Sequence, residues 1–127
     1  MKISEIIELL ELIKEEHGNI VTYEWFGDGY IAVGFSKGVV SILSTHSTEM
    51  KSEVTNFKPF KTGIDDIAIC EDVNRIAVAG ENMVKIYDSV SYEELKDEQI
   101  EVPFQAGRIS KIAWSVSGQI LVVSTLT

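Results

Sequence analysis

The chain has 127 residues, 45% of them hydrophobic and 24% charged, which fits one globular domain or part of one and excludes an extended disordered polymer. Eleven Lys and Arg stand against twenty Asp and Glu, a net charge of −9 that opposes sequence-independent nucleic-acid binding and adhesion to anionic membranes. Cys70 is the single cysteine, so no intrachain disulfide can form, and no apolar run approaches the ~18 residues that span a bilayer.

Residues 1–17 read as an amphipathic acidic helix, with 4–16 as its expected extent. Ile3, Ile6, Ile7, Leu10 and Ile13 recur at helical spacing, Leu9 and Leu12 widen the stripe, and Glu5, Glu8, Glu11, Glu15 and Glu16 take the other side. Ser4 is placed to cap the start and Gly18 to end it. The acidic polar face directs the stripe to the protein's own sheet, since a membrane-surface helix would carry Lys and Arg there. The glutamates interrupt the apolar run too early for a signal peptide. A competing reading makes 10–15 an outer β-strand.

From Asn19 the pattern turns strand-like, with strands expected at 20–25, 30–35, 39–44 and, more polar, 52–57. Gly27-Asp28-Gly29 and Ser36-Lys37-Gly38 supply the intervening turns, and residues 58–63 form a connecting loop. The order then repeats. Strands are expected at 66–70, 75–79, 83–88 and 99–102, with a polar loop at 89–97, and a third unit has strands at 109–114 and 119–125. The openings of the three units, Ile20, Ile64 and Ile109, lie 44 and 45 residues apart, the period of a four-stranded propeller blade. The inner strands read as the most apolar and the outer ones as the most polar, as radial stacking predicts. Gly34 and Ala79 fall at equivalent positions where a small residue lets neighbouring sheets approach.

Candidate chemical motifs have simpler readings. Gly27-Asp28-Gly29 lacks the spacing of a phosphate loop and no helix follows it. His17 and His46, the two histidines, have no second His or Cys at ligand spacing, so no metal site is expected. Asp65-Asp66 and Glu71-Asp72 are neighbours on extended backbone, where adjacent side chains diverge, and read as solvated loop charge. Cys70, without a basic neighbour, reads as a small buried hydrophobe. Trp25 and Trp114 end equivalent strands and are expected to pack between blades. Tyr23 and Tyr30 are candidates for a loop face, and Pro59-Phe60 for a rim recognition element. No catalytic, cofactor-binding or metal residue is assigned.

Strand triplets with hairpin turns at this period resemble WD-repeat blades. Ile86-Tyr87-Asp88 stands where that family carries Trp-Asp, although no Gly-His pair opens a unit and residues 41–44 hold no Trp-Asp equivalent, so the full His–Ser/Thr–Asp–Trp network cannot form. Gly18-Asn19-Ile20-Val21, Trp25-Phe26-Gly27-Asp28-Gly29, Gly34-Phe35-Ser36-Lys37-Gly38 and Ser44-Thr45-His46-Ser47 closely resemble the family of WD repeat-containing protein 19, the large WD-repeat subunit of intraflagellar transport complex A. The likeness continues through Val84-Lys85-Ile86 to Gly118-Gln119-Ile120-Leu121 and Ser124-Thr125, and leaves residues 1–17 without a counterpart.

The resemblance implies a piece of an N-terminal propeller region, in a family that has two propellers followed by helical repeats. It implies a non-catalytic scaffold acting in retrograde ciliary transport, with the other complex A subunits as partners. Its expected location is the cytoplasm, the cilium or flagellum and the basal body. Neither nucleic acid nor direct membrane insertion is expected. The expected fold is mainly β, a partial WD-type propeller of about two and a half blades after a short helix, divided as 1–17, 18–62, 63–107 and 108–127. Open blade edges in such a piece favour self-association. The rivals are another WD-repeat adaptor or coat scaffold, a truncated fragment without independent function, and an enzyme with acids converging on the innermost strands.

Overall fold

The computed structural model describes residues 3–46 and 53–126, with side chains described from Ile7 onward. Helix α1 spans Ile3–His17. It begins before Ser4, which therefore lies inside the helix and is not its cap. Gly18, at φ 95°, ends it by donating its N–H to the Lys14 carbonyl at 2.9 Å. The alternative of a strand at 10–15 is overturned. Leu9, Ile13 and His17 are buried while Glu11 and Glu15 between them are exposed, which is helical spacing, because a strand would set all five on one face.

Ten strands follow among the described residues: β1 (Ile20–Phe26), β2 (Tyr30–Phe35), β3 (Val40–Ser44), β4 (Thr55–Phe57), β5 (Asp66–Cys70), β6 (Arg75–Gly80), β7 (Met83–Asp88), β8 (Ile100–Glu101), β9 (Ile109–Trp114) and β10 (Leu121–Thr125). They form three antiparallel sheets in sequential order: β1-β2-β3-β4, β5-β6-β7-β8 and β9-β10. The outer strands β4 and β8 are shorter than the patterning suggests, and Ser52, expected in the fourth strand, lies outside the described residues. The loop after β7 closes on Asp88, whose carboxylate accepts the N–H groups of Val90 at 2.7 Å and Ser91 at 2.9 Å. These bonds hold its carboxyl below the usual range. Asp88, at the Trp-Asp position, thus closes a turn and joins no buried network.

The sheets meet through their first strands, β1 against β5 and β5 against β9, so these are the innermost strands of a radial stack. The expected burial gradient needs correction here. In the second sheet the innermost strand β5 is buried at four of five positions, as expected, but in the first sheet β2 and β3 are the deeply buried strands while β1 is exposed at five of seven positions, and β9 is exposed at three of six. As the first strand of its sheet β1 is paired along one edge only, and it presents a sheet face on which no blade sits among the described residues.

Three apolar clusters join the layers. Leu9, Ile13 and half-buried Leu10 of α1 pack on Ile31, Val33, Phe35 and Leu43. Phe26, Ala32, Val40 and Ile42 of the first sheet pack on Ile67, Ile76, Val78 and Tyr87 of the second. Ala68, Ala77, Ala79, Val84 and Ile86 of the second pack on Ile109 and Ile112, with Trp114, Leu121 and Val123 at the margin. Gly34 is needed for the close approach of the first two sheets, since a Cβ there would lie 2.9 Å from Ile64 Cγ2. Gly38, at φ 87°, faces the carbonyls of Phe60 and Thr62, leaving no room for a side chain.

Candidate functional site

The innermost strands carry Thr22 on β1, Glu24 on β1, Asp66 at the start of β5 and Lys111 on β9. Asp66 is buried. Its Oδ1 accepts the Thr22 hydroxyl at 3.3 Å and its Oδ2 accepts the Ile112 N–H at 2.9 Å, so one carboxylate ties all three innermost strands. Lys111 Nζ approaches the same carboxylate at 4.0 Å, and neighbouring Asp65 receives Arg108 Nε at 2.6 Å. The reading of Asp65-Asp66 as solvated loop charge is therefore wrong, because both carboxylates bridge between sheets. Glu71 is exposed, yet it too is engaged across sheets, accepting the Gly27 N–H. Thr22 and Asp66 lie one repeat apart at equivalent positions. Aligning the repeats for polar residues as well as apolar ones would have exposed the clamp.

Glu24 stands beside this clamp. Desolvation, then repulsion from Asp66, hold its carboxyl above the usual range, and Lys111 opposes both. With Trp25, Cys70, Trp114 and Lys111 it lines an open recess of about 560 Å³. The recess takes Glu24 from an innermost strand and Glu71 and Asp72 from the turn after β5, contrary to the nearly all-apolar reading, while Asp66 lies outside its lining.

The two tryptophans differ. Trp114 packs between sheets as expected, half buried and donating Nε1–H to the Ala68 carbonyl at 3.0 Å. Trp25 is 53% exposed, because its sheet face has no blade on it. Tyr23 is exposed on the same strand, while Tyr30 is half buried against the Phe26 and His46 rings. Pro59 and Phe60 are both buried, which overturns the rim-recognition reading. Phe60 plugs the joint between the first two sheets, and Lys85 donates to the Pro59 carbonyl at 2.7 Å above it. Cys70 is buried and free.

His17 sits at the foot of α1, edge-on to Phe35 and 3.1 Å from Glu53 Oε1, while the Ser41 hydroxyl donates to Glu53 Oε2 at 2.6 Å. Glu16, His17 and Glu53 thus bring potential ligand atoms within 4.8 Å of one another. Both Glu53 oxygens are already engaged and Glu16 is exposed, so the set works as a polar pin from helix to sheet. No helix among the described residues is long and apolar enough to cross a membrane.

Antiparallel four-stranded sheets stacked through their first strands define a partial WD-type β-propeller. A chain in the crystal structure of the mitotic checkpoint complex shares this fold, with a TM-score of 0.67 at 12% identity over 82% of this chain and 30% of that one. The family described as WDR19 first beta-propeller matches residues 2–127. The chain belongs to that family. WD repeat-containing protein 19 of Mus musculus and of Homo sapiens are each 34% identical to it over 114 residues, 88% of this chain. WD repeat-containing protein dyf-2 of Caenorhabditis elegans is 39% identical over 75 residues, 59% of this chain. The chain spans 8% of the length of the mouse and human relatives and 5% of the nematode one. The family match begins at residue 2 and so takes in α1, which the resemblance had left without a counterpart.

Proposed function

We propose that the chain is part of a non-catalytic protein-interaction scaffold, a piece of an intraflagellar transport complex A subunit acting in retrograde ciliary transport. Membership of the WDR19 first-propeller family carries this reading. The interlocked sheets supply what a scaffold needs, rigid faces and rims held by buried apolar layers and inter-sheet hydrogen bonds. No residue is given a chemical role, and the division into a helix, two blades and a half blade at 1–17, 18–62, 63–107 and 108–127 is part of the proposal.

The partners are the other subunits of complex A, and the sites of action are the cytoplasm, the cilium or flagellum and the basal body. A second copy is a further partner, through open blade surfaces. The deciding experiment is capture of complex A subunits by the whole parent protein, compared with a form lacking 18–125. Capture lost on deletion supports the reading, and unchanged assembly overturns it.

A further inference from the structure

The joint between the first two sheets carries a basic recess, apart from the clamp around Asp66. It has a volume of about 370 Å³, and Lys58, Lys61 and Lys85 line it together with Phe60, Met83 and a single acid, Glu81. Three of the chain's eleven cations thus meet at one place on a protein of net charge −9. Lys58 and Lys61 are exposed on the loop before β5, and Lys85 is half buried on β7. Lys85 is held in place. Its Nζ lies 5.2 Å from the centre of the Phe60 ring and donates to the Pro59 carbonyl at 2.7 Å, which uses one of its three N–H groups. Arg75, Arg108 and Lys111 each face a carboxylate, whereas none of these three lysines is ion-paired among the described residues. Glu81 Oε2 accepts the Lys61 backbone N–H at 2.8 Å.

The repeat shows what kind of group fits there. Ser41 pairs with Val33 and Lys85 pairs with Val78, so Ser41 and Lys85 hold one place in successive sheets. In the first sheet that place binds a carboxylate, since the Ser41 hydroxyl donates to Glu53 Oε2 at 2.6 Å. The Val54 and Leu95 N–H groups donate to the equivalent carbonyls of Ile42 and Ile86, which makes Glu94 the second-sheet counterpart of Glu53. Glu94 hydrogen-bonds the Tyr87 hydroxyl instead, and burial together with that carboxylate pushes the phenol above its usual range. Lys85 therefore stands at a carboxylate-binding place whose own acid is engaged elsewhere.

We propose that this recess docks a short acidic segment of a partner protein, with one carboxylate on Lys85 and others on Lys58 and Lys61. This deepens the scaffold reading above and rests on it. Extent decides the occupant. A nucleic acid or an anionic membrane would reach beyond the three lysines onto an acidic surface, and Glu101, opposite Met83 on β8, already borders the recess. A few side chains of an acidic segment meet the ammonium groups alone and lay their apolar parts on Met83.

The test is fluorescence anisotropy of a labelled Glu-Asp-Leu-Glu-Asp peptide titrated with the 127-residue chain, beside a Gln-Asn-Leu-Gln-Asn control. The acidic peptide should bind saturably and the control about tenfold more weakly. Lys61→Glu should weaken binding about fivefold, and Lys58→Glu combined with it by more than about tenfold, both at exposed positions. Glu81→Gln removes the competing charge, keeps an acceptor for the Lys61 N–H and should strengthen binding about twofold. Lys14→Glu, exposed on α1 at the far face of the first sheet, makes the same change in net charge and should leave binding unaltered. The peptide comparison and Glu81→Gln still decide the matter if a charge reversal disturbs folding. No saturable binding of the acidic peptide, equal binding of the two peptides, or equal losses in Lys14→Glu and Lys61→Glu would overturn the proposal. Tighter binding of phosphatidylserine vesicles or of oligothymidylate than of the acidic peptide would also overturn it. None of these outcomes touches the capture of complex A subunits, which is measured on the parent protein.

Discussion

A single buried carboxylate, Asp66, holds three strands that are distant in sequence. It accepts the half-buried Thr22 hydroxyl and the buried Ile112 N–H, the second of which has no water at hand. Asp66→Ala would leave the Ile112 N–H unpaired and should cost about 2 kcal/mol in urea unfolding, with Asp66→Asn recovering part of it through its remaining acceptor. Glu24 acts in the opposite sense. Its carboxyl titrates above the ordinary value of 4.5 when folded, so the native state binds more protons than the unfolded chain between those two points. Its contribution therefore falls as pH rises through that window. Glu24→Gln should raise the melting temperature at pH 7 and leave it unchanged near pH 4, as followed by thermal unfolding at each pH. The role of Glu24 was not legible in the chain, and that of Asp66 was legible only from the polar residues at equivalent repeat positions. Periodicity reports which side of a strand a residue occupies, whereas their surroundings come from strands one repeat away.

At the scale of elements, strand positions were legible because two-residue alternation and turn-forming Gly, Asn and Asp agree on the same boundaries. β5, β7 and β9 fall where patterning sets them. β4 and β8 shrink because edge strands have few partners to order them. The depth of each strand was less legible, since an innermost strand and a middle strand have similar composition but different neighbours. The helix and the sheets should also differ in how mutations read out. Ile76 is enclosed on all sides, and Ile76→Ala should cost about 3 kcal/mol in chemical denaturation. Ile13→Ala should cost less, about 2 kcal/mol in the same measurement, because it sits in the smallest of the three clusters.

For the molecule as a whole, architecture and family were legible from the 44- and 45-residue spacing and the wording of the turns. What covers each end of the stack was not, because an open sheet face and a covered one have the same alternating residues. Trp25 and Trp114 make the point, being equivalent in sequence, the one exposed and the other half buried.

The bonds between sheets share one property. Thr22 to Asp66 and Gly27 to Glu71 span 44 residues, Arg108 to Asp65 spans 43, and Asp66 to Ile112 and Trp114 to Ala68 span 46. Each reaches about one repeat and no further, so a sheet senses its immediate neighbour alone. Such a chain should open sheet by sheet from its least buried end before its global transition. Amide hydrogen exchange should then show a ladder of rates, slowest in β2, β3 and β6 and fastest in β9 and β10, and one uniform rate across all three sheets would contradict it.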